Sequence, residues 1–270
     1  MRSSLLRSLL LTCVLAALWL SAYSQPYAAT PPDMAGRAFD GETIVYEGKL
    51  EKFIDISVAE LTFKSTAAPG SNDLIIEAQA ISKGTLLRLF RYSFLQEYES
   101  TVDLSSFKIL RTIKHDVQKE RVRDGEAVFD YKERRVTYVE TDPKDLMRPP
   151  RRIASEIDDP VYDMISAIYS VRLMPLAVGR NMELTVSDSG LIYKVPFSVV
   201  ARQRQSTKMG KVWCFLVEPD IFGPGKLIEQ KGKMKIWMTD DPRHVPVRAE
   251  IDTQFGKIEI KLKSYFKASS

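Results

Sequence analysis

The chain has 270 residues, of which 44% are hydrophobic, enough to bury a substantial core in one large β domain or two small ones. Lysine and arginine number 39 against 35 acidic residues, which gives a formal net charge of +4. Two of these cations, Arg2 and Arg7, lie in a segment that we expect to be removed, so the mature chain is nearly neutral. This balance argues against a dedicated nucleic-acid-binding protein.

Residues 1–24 have the pattern of a secretory signal peptide. A positively charged start precedes an apolar stretch. Ala22 and Ser24 are small residues at positions −3 and −1 of a signal-peptidase site, which predicts cleavage before Gln25. An uncleaved membrane anchor is the alternative. We therefore expect an exported protein, periplasmic if the cell has an outer membrane.

The mature chain would keep a single cysteine, Cys214, so it could form no internal disulfide. Cys214 lies in the continuous apolar run 212–217, which is typical of a buried strand. No nearby residue would stabilise a thiolate, so the sequence predicts a buried, inert thiol.

Residues 25–40 are polar and proline-containing and predict a flexible lead-in. From there to residue 266, short segments alternate apolar and polar residues with a period of two, as in strands with one wet face. Turns are predicted at Asp124–Gly125, at 132–134 and at 239–244. About a dozen such strands predict one antiparallel sheet that must curl into a barrel or half-barrel. Two packed β units are the alternative.

A single amphipathic helix over residues 159–172 interrupts these strands. Asp158 or Asp159 can cap its first turn, Pro160 suits the first helical position, and Arg172 meets the negative end of the helix dipole. Such a helix must bury its apolar face against the sheet. The predicted fold is mainly β: a large curved antiparallel sheet with one packed amphipathic helix, in a single domain over 41–266.

Several segments carry a family resemblance. They are GETIVYE at 41–47, LLRLF at 86–90 after Gly84, DPVYD at 159–163 with AIY at 167–169, LMPLAVG at 173–179, VEP at 217–219, and IWMTDDPRHVPVR at 236–248. Through them the chain resembles an uncharacterised family of exported bacterial proteins, domain of unknown function 3108. The resemblance implies export and an all-β fold, and it brings no catalytic residues. By looser analogy of fold, a curved sheet with an inserted helix is similar to the lipoprotein carriers of the Gram-negative envelope.

No stretch of the sequence specifies a reaction. Nucleophile-elbow, zinc-binding and phosphate-binding motifs are absent, and the two histidines, His115 and His244, lie in a charged strand and beside a turn. We predict a protein that is not an enzyme and uses no metal or cofactor. A hydrolase acting through His115 or His244 with nearby acids is the least favoured alternative.

The favoured function is binding of an apolar ligand, a lipid or an acyl chain, in the concavity of the sheet under the helix and the 86–90 segment. Core packing at a strand crossover is the other interpretation of that segment. The candidate ligand-binding residues are Leu86, Leu87, Leu89, Phe90, Ile165, Ile168 and Tyr169.

The alternative is a structural or assembly factor of the envelope that docks a protein partner through edge strands or through Arg148, Arg151 and Arg152. These arginines lie in the proline-rich segment 142–152, which is predicted to stay out of the sheet. A solvated sheet face explains the basic residues between 114 and 135. Peripheral contact of these residues with anionic lipid headgroups is the alternative.

Overall fold

The computed structural model describes residues 36–50, 57–84, 88, 91–253 and 256–268. A short 3-10 turn, Gly36–Phe39, precedes fifteen strands, and helix α1 (Met164–Arg172) follows the ninth of them. The strands are β1 (Glu42–Leu50), β2 (Ser57–Ala67), β3 (Asp73–Ser82), β4 (Phe94–Asp103), β5 (Ile109–Gln118), β6 (Arg121–Asp130), β7 (Arg135–Thr141), β8 (Arg151–Glu156), β9 (Tyr162–Asp163), β10 (Asn181–Asp188), β11 (Leu191–Thr207), β12 (Gly210–Pro219), β13 (Gly232–Thr239), β14 (Pro246–Thr253) and β15 (Gly256–Lys267).

All fifteen strands belong to one sheet, in the order β8-β7-β6-β5-β4-β3-β2-β1-β15-β14-β13-β12-β11-β10-β9. Strand β1 lies at the centre and pairs with both β2 and β15. Neighbours are antiparallel except β9 and β10, which run parallel. The sheet is curved and not closed, so it is a half-barrel. The predicted class, a large curved and mainly antiparallel sheet with a packed helix, is confirmed.

Curvature brings the two ends of the sheet into contact without pairing them. The Ser155 hydroxyl on β8 donates a hydrogen bond of 2.7 Å to the carbonyl of Gly190, in the turn between β10 and β11. Gly190 has a φ of 80°, and a Cβ there would lie 2.6 Å from the Cβ of Tyr138 on β7. Only glycine combines this backbone conformation with so close an approach.

The helix begins at Met164, so the predicted start at residue 159 is wrong. Asp163 is the N-cap: its carboxylate accepts from the backbone N–H groups of Ile165 and Ser166, and the Ser166 hydroxyl accepts from its N–H in return. Because Tyr162 and Asp163 form β9 and pair with β10, the backbone stays extended up to the cap.

The predicted caps, Asp158 and Asp159, are exposed and serve other contacts. An oxygen of Asp158 lies 2.6 Å from the Arg134 guanidinium, and Asp159 pairs with Lys108. An aspartate does cap the helix, but it is Asp163, the last residue of β9, and not the aspartate before Pro160.

Two further predictions are corrected. Asp124–Gly125 is not a turn but the middle of β6, and Gly125 is there because the Tyr138 ring lies against it, 2.8 Å from where a Cβ would be. The segment 142–152 does not stay wholly outside the sheet, because Arg151 and Arg152 begin edge strand β8. An edge strand needs hydrogen bonds on one side only, which makes it tolerant of preceding prolines.

The predicted turns at 132–134 and 239–244 are confirmed.

Three clusters of apolar side chains fill the interior. The first lies among β3–β7 and includes Ile165 and Tyr169 of α1. The second lies among β10–β13 and includes Ala167 of the same helix, and the third surrounds β1 and β12–β15. Cys214 belongs to the third, fully buried as predicted, and burial raises the pKa of its thiol to about 12. Within the described part of the chain, no helix is long and apolar enough to cross a membrane.

Candidate functional site

Helix α1 is apolar on two sides. One apolar stripe, Ile165 and Tyr169, is buried, and the buried Arg172 continues it in the last turn. A second stripe at the same spacing, Met164, Ile168 and Val171, is partly exposed. A helix that is apolar all round is normally enclosed by protein. Here the second stripe faces a cavity instead.

The cavity has a volume of about 270 Å³ and an almost entirely apolar lining. It lies between α1 and strands β1, β2 and β10–β15. The lining comprises Ile44, Tyr46, Leu61, Phe63, Met164, Ala167, Ile168, Tyr169, Val171, Arg172, Leu184, Val186, Val195, Phe197, Val217, Pro219, Ile221, Leu227, Met234, Ile236, Met238, Pro246, Arg248, Ala249 and Ile260. Ile168 is 37% exposed, more than any other lining side chain, and we infer that the cavity opens to solvent beside it.

Two arginines line this cavity, and both have their charge neutralised by carboxylates. Arg172 lies against Glu42, with nitrogen–oxygen distances of 2.5 and 2.7 Å. Arg248 lies 2.8 Å from Glu259 and also contacts Glu250. The lining therefore presents hydrocarbon to the cavity and no uncompensated cation among the described residues.

The Glu42–Arg172 pair fixes the C-terminal end of α1. The Tyr265 hydroxyl donates to Glu42, at 3.0 Å, and the Arg172 Nε donates to the carbonyl of Arg243, at 3.1 Å. The guanidinium also lies over the Phe39 ring, 4.6 Å from its centroid. Burial disfavours the arginine's charge, but the Glu42 carboxylate outweighs it and raises the pKa of Arg172.

The N-terminal end of α1 is fixed by the cap residue. One oxygen of the Asp163 carboxylate caps the helix, and the other accepts hydrogen bonds from the hydroxyls of Ser100 on β4 and Thr112 on β5. Asp163, Ser100 and Thr112 are all buried. Both ends of the helix that borders the cavity are therefore bonded to strands of the sheet.

The predicted ligand-binding residues divide into three groups. Ile168 and Tyr169 line the cavity. Ile165 packs into the first core cluster instead. Leu86, Leu87, Leu89 and Phe90 lie outside the described residues.

The sequence reasoning missed Met164 and Val171 on the helix, and Ile221 and Leu227 between β12 and β13. The second i, i+4, i+7 stripe of α1 would have indicated the first two. Ile221 and Leu227 could not have been assigned to the cavity from the sequence, because nothing in the composition of the connection 220–231 shows which side of the sheet it covers.

The candidate partner-binding arginines are exposed at one edge of the sheet. Arg148 lies 3.7 Å from Asp142 in the β7–β8 connection, and Arg151 and Arg152 follow on β8.

The two histidines occupy different structural settings. His115 on β5 contacts Asp124 on the neighbouring strand β6. His244 is buried in the β13–β14 turn, where its Nδ1 lies 3.0 Å from the carbonyl of Arg172. Desolvation lowers the pKa of His244. Over the described ranges, no group of three His, Cys, Asp or Glu side chains is placed to hold a metal ion.

Several solved structures are similar to this chain in fold. A β-barrel-like protein of domain of unknown function DUF1849 from Brucella abortus is 8% identical, with a TM-score of 0.54 over 86% of this chain and 99% of that chain. A hypothetical protein from Chlamydia trachomatis is 10% identical, with a TM-score of 0.35 over 88% and 95%. A protein from Bacteroides fragilis, described as exported with a YmcC-like fold, is 12% identical, with a TM-score of 0.31 over 84% and 96%. The Brucella structure supports the half-barrel architecture.

A search of curated proteins found no match. The family model described as "Protein of unknown function (DUF3108)" matches residues 43–263. This range runs from the first strand to the last and includes α1, the cavity lining, and the Asp163 and Arg172 side chains at the two ends of the helix. The protein therefore belongs to the DUF3108 family.

Proposed function

We propose that this protein binds an apolar molecule, a lipid or an acyl chain, in the cavity beside α1. The observation that carries the proposal is the cavity itself, about 270 Å³ with a hydrocarbon lining. An apolar cavity of about 150 Å³ is known to hold benzene, and ordinary ligand pockets begin at about 300 Å³. The space therefore suits a short stretch of alkyl chain better than a large ring system.

The charged residues around the cavity further restrict the chemical class of the ligand. Because Glu42 neutralises Arg172 and two glutamates neutralise Arg248, a carboxylate or phosphate inside would find no free cation. Desolvating a charge without a partner is costly. The enclosed part of the ligand is therefore uncharged, and any headgroup stays at the opening beside Ile168.

The role is non-catalytic and belongs to the cell envelope, after export of the chain. The apolar lining and the leader-like residues 1–24 support this part of the proposal. An N-terminus at Gln25 in protein recovered from the cell would support the export step.

The direct test is native mass spectrometry of the protein as the cell produces it, before and after organic extraction. We expect a stoichiometric adduct that extraction removes and that incubation with neutral acyl esters restores. A bare mass that stays unchanged after incubation with envelope lipids would refute the proposal.

Two variants locate the ligand. Ala249→Phe places a ring into the cavity, and Ile168→Asp places a charge at its opening; both should weaken binding at least about tenfold, since tenfold corresponds to only about 1.4 kcal/mol. Matched controls are Ala154→Phe, on the exposed side of β8, and Val178→Asp, at another exposed position. Ile168 is itself partly exposed, so its variant should fold even if Ala249→Phe does not. Equal binding by variants and controls would place the ligand elsewhere.

A further inference from the structure

The connection between β7 and β8 carries two large apolar side chains in full contact with solvent. Leu146 is 88% and Met147 is 90% exposed. The next most exposed large hydrophobic side chain in the described part of the chain is Phe266, at 64%. Single exposed apolar residues are common on protein surfaces, but an adjacent pair this exposed is not explained by packing.

The exposure of this pair results from an ordered backbone. Two successive turns form the connection: the N–H of Asp145 donates to the carbonyl of Asp142, and the N–H of Arg148 donates to the carbonyl of Asp145, both at 3.1 Å. The Asp145 carboxylate accepts from the N–H of Met147, at 3.2 Å. Leu146 and Met147 are the central residues of the second turn, which places them at the tip.

The base of the same connection is also tied down. The Asp142 carboxylate accepts from the N–H of Lys144 and pairs with Arg123 on β6. The Lys144 ammonium donates to the carbonyl of Glu120, at 2.9 Å. Pro149 and Pro150 then restrict the backbone before β8 begins. The tip is therefore presented on a supported loop.

Basic side chains flank the apolar tip. Residues 142–152 hold four cations, Lys144, Arg148, Arg151 and Arg152, against two acids. Arg151 and Arg152 are exposed, and no salt bridge within the described residues engages either. An apolar tip beside free guanidinium groups matches the chemistry of an anionic lipid surface, where the apolar side chains enter the acyl boundary and the cations meet phosphates.

We propose that residues 142–152, the β7–β8 loop, dock this protein onto an anionic membrane surface. This surface is separate from the cavity beside α1, and the proposal holds whether or not the cavity carries a ligand. A membrane is favoured over a protein partner because the apolar pair projects from the surface, whereas a protein would need a pocket shaped to receive it. Docking at a bilayer is weak and reversible for so small a tip, and it depends on the lipid charge.

The test is co-sedimentation of the purified protein with vesicles of phosphatidylcholine alone and of phosphatidylcholine mixed with phosphatidylglycerol. We expect binding to the anionic vesicles, little binding to the neutral ones, and weakening by added salt. The double variant Leu146→Ser/Met147→Ser and the double variant Arg151→Ser/Arg152→Ser should each reduce the partition coefficient on the order of tenfold or more.

Matched controls make the same changes elsewhere. Phe266→Ser/Val178→Ser removes exposed apolar side chains, and Lys208→Ser/Lys211→Ser removes two cations from the β11–β12 hairpin. Both should bind vesicles like the parent protein. Equal loss in controls and loop variants would overturn the proposal, as would failure of the parent to bind anionic vesicles. If the parent does not bind anionic vesicles but binds a specific protein partner that the loop variants lose, this surface is a protein-binding surface.

Discussion

Glu42 and Arg172 form a buried bidentate ion pair that joins the central strand of the sheet to the last turn of the helix, across 130 residues of sequence. Their side chains are 1% and 2% exposed. The pair connects β1, which lies between the two halves of the sheet, with helix α1, which borders the cavity. Its position suggests that stability and cavity shape depend on the same contact.

Glu42→Gln should lower the free energy of unfolding by about 3–5 kcal/mol, because it leaves the Arg172 charge buried without its partner. Chemical denaturation with urea measures this. The matched control is Glu126→Gln, whose partner Arg111 is about half exposed, and it should change the stability by less than about 1 kcal/mol. A Glu42→Gln effect as small as that of the control would show that water reaches the pair.

Asp163→Ala should lower the stability by at least about 2 kcal/mol, since it removes the helix cap and leaves the hydroxyls of Ser100 and Thr112 without their acceptor. Asp158→Ala is the comparison, because Asp158 is an aspartate near the same helix start but is exposed. It should stay within about 0.5 kcal/mol of the parent in the same urea titration. Equal effects would contradict the assignment of the cap.

Gly190→Ala should destabilise the protein more than Gly70→Ala does. Both glycines have similar φ values, 80° and 76°, so both variants incur the strain of a left-handed residue, about 1–2 kcal/mol. A Cβ at Gly70 meets nothing within 4 Å, whereas one at Gly190 would lie 2.6 Å from Tyr138. The difference between the two thermal or urea midpoints measures the contact that brings the ends of the sheet together. Equal midpoints would mean that Tyr138 moves away from the added Cβ without loss of stability.

Stability should fall as the pH drops below about 6.5, in part because of His244. Burial lowers the pKa of His244 from its ordinary value of 6.5, despite the opposing pull of Asp240 and Asp241. The folded state therefore favours the neutral ring, and the unfolded state takes up the proton first as the pH falls. The loss develops between the unfolded and folded pKa values and vanishes above the unfolded one.

Unfolding free energies measured over this range, for the parent and for His244→Asn, isolate the effect from that of the carboxylates. Asparagine keeps a donor for the Arg172 carbonyl but does not titrate. The variant should show the shallower pH dependence. Parallel curves would exclude His244 as the source.

Local patterns were enough for much of the fold. The alternating segments on either side of the predicted turn at 239–244 identified a hairpin that the structure contains as β13 and β14, because a period of two is typical of strands. An apolar run around Cys214 likewise identified a buried strand. The same reasoning misplaced Gly125, since a glycine required by the ring of a distant tyrosine looks the same in sequence as a glycine required by a turn.

The sequence by itself determined the class of this protein: a large sheet of alternating strands, a helix with a capping aspartate nearby, and a buried strand around Cys214. These properties depend on residues close together in the chain. Only the tertiary structure decided that Asp163 is the cap, that Glu42 neutralises Arg172, and that the second apolar stripe of α1 faces a cavity. Each of these depends on which strands the curvature of the sheet brings beside the helix, and contacts between residues so far apart in sequence leave no local pattern from which to predict them.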